Sequence, residues 1–238
     1  MIINLISSPR NVSTALMYSF AQRADTQVID EPFYGYYLET IGAEHPDKEE
    51  VIASMETDFQ SIISDIHDVQ EQHDHVFLKN MAHHLYQAEV DFMTEFQNVF
   101  FIRHPKELIT SFAKVIDHPT MRDIGVKQQA KLFKQLKKSG NHLPLVVDSS
   151  QLIKNPEVLL TKLCDELGIG FMPEMLSWQE GGIVEDGVWA KHWYANVHNS
   201  IGFKPAPTGK PNLPPHCESL FNDALPYYYE LANFSIKV

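Results

Sequence analysis

The amino-acid sequence predicts a three-layer α/β/α domain with a central parallel sheet of about five strands. Five short runs rich in β-branched and aromatic residues alternate with longer stretches that have the hydrophobic period of helices. Elements that alternate in this way form a parallel sheet with helices on both faces. The chain has 238 residues, 44% of them apolar, so we expect a single domain over residues 1–238. The predicted strands are residues 2–6, 27–30, 75–79, 99–103 and 143–148.

Three helices are predicted from hydrophobic period and capping signals. The first begins near Ser13, directly after the first strand and its loop. Residues 47–72 repeat apolar side chains at spacings of three and four, which predicts one amphipathic helix. Asn155 and Pro156 provide an N-cap and a proline at the first helical position, and Gly168 marks the end of that helix.

The C-terminal part of the chain, residues 170–238, is predicted to be an irregular flap followed by a terminal helix. Residues 170–216 are rich in Gly, Pro, Trp and Asn and have no clear period, which is typical of a loop that folds over a site. A last helix is expected around residues 217–233, with Pro226 inside it.

Charge and cysteine content exclude several classes of function. The chain carries 19 basic and 31 acidic residues, a net charge of −12, which argues against nucleic acid or an anionic membrane as the main partner. Cys164 and Cys217 form no C-x-x-C pair, and the twelve histidines form no recognised ligand motif, so we expect no metal. No apolar run reaches membrane-spanning length and no signal peptide is evident, which predicts a cytoplasmic protein. The oligomeric state stays open.

The first candidate site is the loop that follows the first strand. A helix begins at Ser13, and its N–H groups, together with the hydroxyls of Ser13 and Thr14, form a suitable cradle for a phosphate. Arg10 adds a cation. The segment is not a Walker A loop, because Ser7 and Val12 stand at its glycine positions and Ser13 stands at its lysine position.

The second candidate site follows the fourth predicted strand. Arg103 ends that strand, Pro105 is suited to a helix start, and Ser111 lies eight residues beyond Arg103. An arginine at the carboxyl end of a parallel strand faces the ligand side of the sheet, where its guanidinium can bind a phosphate through two N–H groups.

In this order, the two motifs resemble the nucleotide site of sulfotransferases that use 3′-phosphoadenosine-5′-phosphosulfate (PAPS). The resemblance covers about residues 1–169 and implies the P-loop-like sulfotransferase architecture, with PAPS as cosubstrate and 3′-phosphoadenosine-5′-phosphate (PAP) as product. The family's usual loop glycine is absent, and we expect Asn11 to tolerate the left-handed backbone there. The implied nucleotide-binding residues are Ser8, Arg10, Asn11, Val12, Ser13 and Thr14 for the 5′-phosphosulfate, with Arg103 and Ser111 for the 3′-phosphate.

The resemblance also implies a base and a cation for transfer to the hydroxyl of a small acceptor. Glu31, after the second strand, is the first choice for the base, and Asp30 is a near alternative. Lys79, at the end of the third strand, resembles the family lysine that acts with Arg10 on the leaving group. The family's histidine base would fall at residue 81, which is Met81 here. The histidines at positions 83 and 84 (His83, His84) are further candidates for the base or for the acceptor pocket.

A cluster of polar and aromatic residues in the predicted flap completes the candidate site. In the family, a late loop contributes to the 3′-phosphate site, which implies a role for Lys204 or Ser200. The aromatic rings are expected either to stack on adenine or to bury the flap. The cluster consists of Trp189, Trp193, Tyr194, His198, Ser200, Gly202, Phe203 and Lys204.

Two other functions fit parts of the sequence. A P-loop kinase or NTPase is one, since Asp148 at the end of the fifth predicted strand could bind magnesium. The absent P-loop lysine argues against it. The other is a protein that binds PAP or PAPS without turnover, because the loop lacks its glycine.

Overall fold

A computed structural model describes residues 1–88, 91–139, 142–205 and 211–237. It contains a five-stranded sheet in the order β2-β3-β1-β4-β5, with every pair of neighbours parallel. The predicted α/β/α fold with about five strands is therefore confirmed. Because β1 lies at the centre, the loop that follows it is flanked by the ends of β3 and β4. The strands are β1 (Ile2–Ser7), β2 (Thr26–Asp30), β3 (His75–Met81), β4 (Gln97–Ile102) and β5 (Leu145–Asp148).

Helices cover both faces of the sheet. Single turns of 3-10 helix lie at Ala82–Leu85, Asp91–Glu95, Pro173–Leu176 and Pro215–Cys217. Within the described ranges, none of the helices combines the length and apolarity needed to cross a bilayer. The α-helices are α1 (Ser13–Ala21), α2 (Tyr34–Ile41), α3 (Lys48–Ser54), α4 (Phe59–Gln72), α5 (Pro105–Phe112), α6 (Met121–Ile124), α7 (Val126–Ser139), α8 (Ser149–Lys154), α9 (Pro156–Leu167), α10 (Ala190–Trp193), α11 (Ala195–His198) and α12 (Glu218–Ala232).

The strands are apolar on both faces, as a doubly covered parallel sheet requires. Ile3 and Leu5 of β1 point to one side, where they join a core built with α1, α2 and α9. Ile2 and Ile6 point to the other side, where they pack with side chains of α4, α7 and α12. Alternate residues thus anchor β1 in two cores, which fixes the direction in which its C-terminal loop emerges.

The prediction of a single helix over residues 47–72 is wrong. The chain forms α3 and α4, separated by a break in which Met55 is extended (φ −130°, ψ 156°). Asp58 caps α4 by accepting a 2.9 Å hydrogen bond from the Ser61 N–H. The carboxylate of Glu56 accepts from the N–H groups of Thr57 and Asp58. These local side-chain bonds end one helix and start another, whereas the apolar spacing continues across the break.

Other predicted boundaries are confirmed closely. The first helix begins at Ser13, and α9 runs from Pro156 to Leu167 with Gly168 in the left-handed conformation at its C-terminus. The terminal helix α12 contains Pro226. The flap is mostly irregular, with α10 and α11 as short helices, and residues 206–210 lie outside the described part.

Candidate active site

A cavity of about 540 Å³ lies at the carboxyl edge of the sheet. This edge is where ligands bind in open parallel sheets. The loops after β1, β2, β3 and β4 contribute to the wall, and the flap closes one side of it. The candidate residues that line the cavity are Arg10, Asn11, Val12, Ser13, Thr14, Glu31, His83, His84, Arg103, Ser111, Trp189, Trp193, Tyr194, Ser200, Gly202 and Lys204.

The loop between β1 and α1 is held in a conformation that exposes a helix N-terminus. Arg10 and Val12 have positive φ values of 59° and 63°. Val12 is the residue before α1, and no side chain of the described residues caps the helix there. The first N–H groups of α1 are therefore available to an anion.

We had expected Asn11 to adopt the left-handed backbone in this loop, but Arg10 and Val12 adopt it instead. A β-branched residue is strained in the left-handed region, so the surrounding contacts must impose it. The side-chain amide of Asn11 donates to the carbonyl of Phe101 in β4 and is almost completely buried. Asn11 thus ties the loop to the sheet, which leaves the following residue to make the turn.

The two arginines of the predicted phosphate sites meet at this loop. The Arg103 guanidinium donates through Nη1 to the backbone carbonyl of Arg10 at 2.5 Å, and through Nε to Glu107 at 3.2 Å. Arg10 Nε donates to Ser111 Oγ at 3.2 Å. Burial and the neighbouring charge of Arg103 lower the pKa of Arg10. Two adjacent, partly buried guanidiniums that repel each other are suited to a multiply charged anion.

Ser8 does not lie on the cavity wall. Its hydroxyl is fully buried and donates to Gln129 Oε1 at 3.0 Å. The Gln129 amide in turn donates to the carbonyls of Ile6 and Phe101, both at 2.9 Å. Ser8 and Gln129 therefore fasten the loop to β1 and β4. The sequence contains one indication that Gln129 has such a role, because this polar residue interrupts the otherwise apolar side of α7.

Asp30, Glu31 and Lys79 form a buried ion cluster beneath the cavity. Lys79 Nζ lies 2.7 Å from Asp30 Oδ1 and 2.6 Å from Glu31 Oε1, and it also donates to the Tyr194 hydroxyl. Strands β2 and β3 create this arrangement because Asp30 and Lys79 are directly paired in their register. Glu31 follows with a positive φ of 48°, which turns its side chain back over Lys79.

The structure leaves Lys79 without a free donor. An ammonium group has three N–H donors, and two carboxylates and one hydroxyl accept them. The side chain is fully buried and is not part of the cavity wall. This placement differs from the one that the sequence suggested, in which the ammonium reaches the leaving group.

The two carboxylate oxygens of Glu31 differ in their contacts. Its Oε1 is bound to Lys79, whereas Oε2 has no hydrogen bond among the described residues and lies 3.7 Å from His84 Nδ1. The pKa of Glu31 is raised by burial and by the charge of Asp30, which together outweigh the attraction of Lys79. Burial alone would lower the pKa of Lys79, but the charges of Asp30 and Glu31 raise it.

Tyr194 connects the flap to this cluster. Its hydroxyl donates to Asp30 Oδ2 at 2.8 Å and accepts from Lys79 and from the indole N–H of Trp189, the latter at 3.0 Å. Burial and the two carboxylates raise the pKa of Tyr194 well above its ordinary value, so the hydroxyl stays protonated. The N–H of Gly187 also donates to Asp30, at 3.3 Å. The sequence singled out Tyr194 only as a candidate aromatic contact, because its ion partners are more than 100 residues away.

Three histidines and aromatic rings form the wall beside Glu31. The His84 ring stacks on Tyr34 with centroids 4.5 Å apart, and His83 meets His84 edge to face at 4.4 Å. His45 is 2.6 Å from the Tyr34 hydroxyl. Burial lowers the pKa of all three histidines, that of His83 to about 3. The three imidazoles are therefore uncharged at neutral pH.

The remaining candidates from the flap and from β5 divide into two groups. Ser200 and Lys204 line the cavity near the loop, although Ser200 Oγ donates to the Val197 carbonyl. Asp148 does not line it. The two Asp148 oxygens accept from the Ser150 N–H and the Tyr228 hydroxyl, at 2.8 and 2.7 Å, so this carboxylate caps α8.

Comparison with known proteins gives consistent results. Two curated relatives from Arabidopsis thaliana, named branched-chain-amino-acid aminotransferase-like proteins 1 and 2, are 35% and 34% identical over 95% of this chain. The matched regions are 41% and 40% of those proteins, so the chain spans about two fifths of the length of these relatives.

Three solved structures share the fold. The sulfotransferase domain of the Synechococcus PCC 7002 olefin synthase superposes with a TM-score of 0.60 at 18% identity, covering 93% of both chains. The sulfotransferase domain from the curacin biosynthetic pathway has a TM-score of 0.57 at 18% identity and covers 93% of this chain and 96% of that one. A sulfotransferase from Alicyclobacillus acidocaldarius has a TM-score of 0.54 at 11% identity, covering 98% and 96%.

A family model decides the assignment. The model described as a sulfotransferase domain matches residues 1–234, nearly the whole chain. The match includes both arginine motifs, the buried ion cluster and the flap. This chain therefore belongs to the sulfotransferase-domain family.

Proposed function

We propose that this protein is a PAPS-dependent sulfotransferase that moves a sulfuryl group from PAPS to a hydroxyl of a small acceptor. The observation that carries the proposal is the meeting of Arg10, Arg103 and Ser111 with the open N-terminus of α1 at one cavity. Arg10 and the N-terminus of α1 follow β1, Arg103 follows β4, and Ser111 lies in α5. A nucleotide with phosphate groups at the 3′ and 5′ positions of its ribose needs an anion site for each.

The charge of the cavity fits such a nucleotide. The chain carries a net charge of −12, yet two arginines lie in contact at this loop. Burial, and in second place the charge of Arg103, lower the pKa of Arg10, so the guanidinium of Arg10 is destabilised when no anion is bound. A bound phosphate or phosphosulfate would remove that repulsion and accept several N–H donors.

The residues divide between the two ends of the nucleotide. Arg10, Ser13, Thr14 and the N–H groups of the loop would hold the 5′-phosphosulfate. Arg103 and Ser111 would hold the 3′-phosphate, with Lys204 at the edge of the same cavity. When bound, PAPS supplies an activated sulfuryl group whose transfer needs no metal. The described residues contain no cluster of three or more His, Cys, Asp or Glu arranged for a metal ion.

The buried ion cluster supplies the negative charge that draws a proton from the acceptor hydroxyl. Lys79 contributes one positive charge, and Asp30 and Glu31 contribute two negative charges, so the ionised cluster carries a net charge of −1. A buried site with an unbalanced negative charge favours uptake of a proton. We propose that Lys79 holds Glu31 in place instead of contacting the leaving group, and that Arg10 stabilises the charge on that group.

The acceptor is a small molecule in this proposal. One cavity of about 540 Å³ has to receive both the nucleotide and the acceptor, which leaves limited space beside Glu31. Histidines that burial keeps uncharged form part of the wall with Tyr34 and Trp189, and Glu44 and Asp123 add carboxylates near His45. Such a wall favours an acceptor without negative charge.

Calorimetry with PAP tests the nucleotide site. We expect the wild type to bind PAP with micromolar or tighter affinity, and Arg103→Ala to bind it at least 30-fold more weakly, a loss of about 2 kcal/mol for a charge-assisted contact. Lys131→Ala is the matched control, because Lys131 is an exposed cation of α7 outside the cavity wall. No binding of PAP by the wild type, or equal affinities for the two variants, would refute the proposed site.

Turnover tests the transferase activity separately. Release of PAP from PAPS is measured with 2-naphthol as a test acceptor and with water alone. Tight binding of PAP without release in either assay would favour a protein that binds the nucleotide without turning it over.

A further inference from the structure

We propose that the acceptor carries a positive charge, as a small amino alcohol or aminophenol does, and that Asp123 binds its ammonium group. The inference rests on the proposed sulfuryl transfer and names the chemical class of its acceptor. In this arrangement the hydroxyl of the acceptor lies at Glu31 and its ammonium group lies at Asp123, on the wall of the same cavity.

The charged side chains of the cavity wall form two groups. The cations of the wall are Arg10, Arg103 and Lys204. They come from the ends of β1 and β4 and from the flap, and the nucleotide occupies them in the proposed function. The carboxylates of the wall are Glu31, Glu44 and Asp123. Glu31 follows β2, the edge strand on the side of β1 that is remote from β4, so the negative charge begins at the acceptor end.

A row of ring contacts leads from Glu31 towards Asp123. Glu31 Oε2 lies 3.7 Å from His84 Nδ1, and the centroids of the His84 and His83 rings are 4.4 Å apart. The ring of His45 is 6.4 Å from that of His83. Burial lowers the pKa of His45, and the charge of Asp123 opposes this effect, as expected for a carboxylate close to the imidazole. An acceptor with one end at Glu31 therefore has its other end beside His45 and Asp123.

Asp123 has an oxygen that is free for a ligand. Its Oδ2 accepts from the N–H and the hydroxyl of Thr120, at 2.8 and 2.7 Å, in the capping box of α6. Its Oδ1 accepts no hydrogen bond among the described residues, and Arg122, the preceding residue, is exposed and outside the wall. Glu44, in contrast, lies 3.3 Å from Lys48 Nζ, and its side chain is 90% exposed. Asp123 is therefore the carboxylate at this end of the wall whose charge a ligand can balance.

Buried polar atoms without partners also point to a ligand at this end of the cavity. His83 lines the cavity and is 5% exposed, and its Nδ1 has no hydrogen-bond partner. Glu31 is 6% exposed, and its Oε2 accepts no hydrogen bond among the described residues. Buried polar groups in folded proteins are nearly always hydrogen-bonded. An uncharged imidazole and a carboxylate both offer acceptor atoms, so the ligand that fits them brings N–H and O–H donors.

Aromatic rings complete the acceptor end of the wall. Tyr34, Trp189 and Trp193 line the cavity, and the Tyr34 and Trp189 rings meet edge to face with centroids 5.1 Å apart. The faces of such rings attract a cation as well as apolar groups. The net charge of −12 adds a long-range attraction for a cation. An anionic acceptor would instead meet the carboxylates of Glu31 and Asp123.

The transfer itself is that of the proposed function. The O–H bond of the acceptor breaks, its proton passes to the carboxylate of Glu31, and its oxygen forms the new bond to sulfur. The bond between sulfur and the bridging oxygen of PAPS breaks, and its electron pair leaves on the phosphate of PAP. The product carries an anionic sulfate ester and a cationic ammonium group, and these two charges cancel.

Calorimetry on the complex of the protein with PAP tests the inference without turnover. The probes are tyramine, 4-propylphenol and 3-(4-hydroxyphenyl)propionate, which share a phenol and end in a cationic, an uncharged and an anionic group. Tyramine is charged at neutral pH, because a primary ammonium has a pKa of about 10. We expect tyramine to bind at least about tenfold more tightly than 4-propylphenol, and the propionate to bind most weakly. Absent binding of tyramine, or an affinity no greater than that of 4-propylphenol, would overturn the inference.

Asp123→Asn tests the residue that binds the ammonium group. Asparagine keeps an oxygen for the two hydrogen bonds from Thr120 and removes the charge. We expect the preference for tyramine over 4-propylphenol to fall from about tenfold to nearly one, both in affinity and in kcat/KM for PAP release. Asp165→Asn is the matched control, because Asp165 is an exposed aspartate of α9 outside the cavity wall. An unchanged preference in Asp123→Asn, or an equal fall in Asp165→Asn, would show that Asp123 does not bind the acceptor.

The outcomes separate this inference from the proposed function. If the wild type releases PAP with 2-naphthol and shows no preference for tyramine, the inference is wrong and the transferase proposal stands. If the complex with PAP binds tyramine selectively but PAPS is not turned over, the transferase activity is refuted and a cation site at Asp123 remains. If the wild type does not bind PAP, the proposed function fails at its first step and the acceptor inference fails with it.

Discussion

Replacement of Lys79 by methionine distinguishes a cation that holds Glu31 from one that contacts the nucleotide. Methionine has a similar length and no charge, so it fills the space of the lysine stem without an ammonium group. The variant leaves Asp30 and Glu31 facing each other in a site where both are almost completely buried. It also removes the three hydrogen bonds that the ammonium donates.

The expected loss of stability is large. Removing one partner of a buried ion pair typically costs about 3–5 kcal/mol because the remaining charge has no compensation. The free energy of unfolding of a domain is about 5–15 kcal/mol, so the variant loses a substantial fraction of it. With a urea m-value of about 2.5 kcal/mol/M, the unfolding midpoint should fall by roughly 1.5 M.

The loss should depend on pH in a defined direction. Without Lys79, Glu31 loses the attraction of the ammonium, so burial and the charge of Asp30, which already raise its pKa in the wild type, raise it further above that of the unfolded chain. The folded variant then binds more protons than its unfolded state, so its stability falls as pH rises above about 4 and recovers as pH is lowered. Lys79→Met combined with Glu31→Gln removes the excess charge and should recover part of the loss at neutral pH.

Urea unfolding at pH 5 and pH 8, together with PAP calorimetry, checks this reasoning. We expect the affinity for PAP to stay within about threefold of the wild type, because Lys79 has no donor left for a ligand. Lys131→Met, which changes an exposed lysine of α7, controls for the loss of one positive charge. An unchanged midpoint combined with a tenfold loss of PAP affinity would show that the ammonium serves the nucleotide, and our account would be wrong.

Three further predictions follow from the contacts of the site. Ser111→Ala should weaken PAP binding about tenfold and leave AMP binding unchanged, because AMP lacks the 3′-phosphate; calorimetry with both nucleotides checks this, and an equal loss for both would place Ser111 elsewhere. Tyr194→Phe should destabilise the protein by about 1–3 kcal/mol in urea unfolding, since Lys79 and Trp189 lose an acceptor; a neutral result would contradict the network. Val12→Gly should raise thermal stability slightly, because relief of about 1–2 kcal/mol of left-handed strain exceeds the backbone entropy of glycine; a lower midpoint would count against strain at Val12.

The sequence was sufficient to predict the sheet and most helix boundaries. β1 alternates apolar side chains between two cores, and α9 carries a proline and a glycine at its two ends, so local pattern and tertiary structure agree there. The break between α3 and α4 was missed because the hydrophobic period runs through it. Only Asp58 signalled the break, and a single acidic residue is too common to be decisive.

The two arginine motifs could also be located from the sequence, because parallel strands bring their carboxyl ends to one edge. The detailed roles could not. Lys79 has no donor left for the cavity because the hydroxyl of Tyr194 accepts its third N–H. Tyr194 belongs to the flap, where the sequence has no periodicity from which this contact could be predicted. Likewise, the sequence suggests that Ser8 is a donor of the loop, whereas in the structure its hydroxyl donates to Gln129 of α7. Long-range polar contacts of this kind leave no local pattern.

The distribution of backbone strain supports a functional role for this cavity independently of any family. Four non-glycine residues of the described chain have positive φ, and three of them, Arg10, Val12 and Glu31, line the cavity. Such conformations cost about 1–3 kcal/mol each and persist only where the surroundings impose them. Asn11 and Arg103 hold the first loop, and Lys79 holds Glu31. The fold thus uses buried polar contacts to keep the loop between β1 and α1 and the carboxylate of Glu31 in strained positions at the wall of one cavity, an arrangement that packing alone would not select.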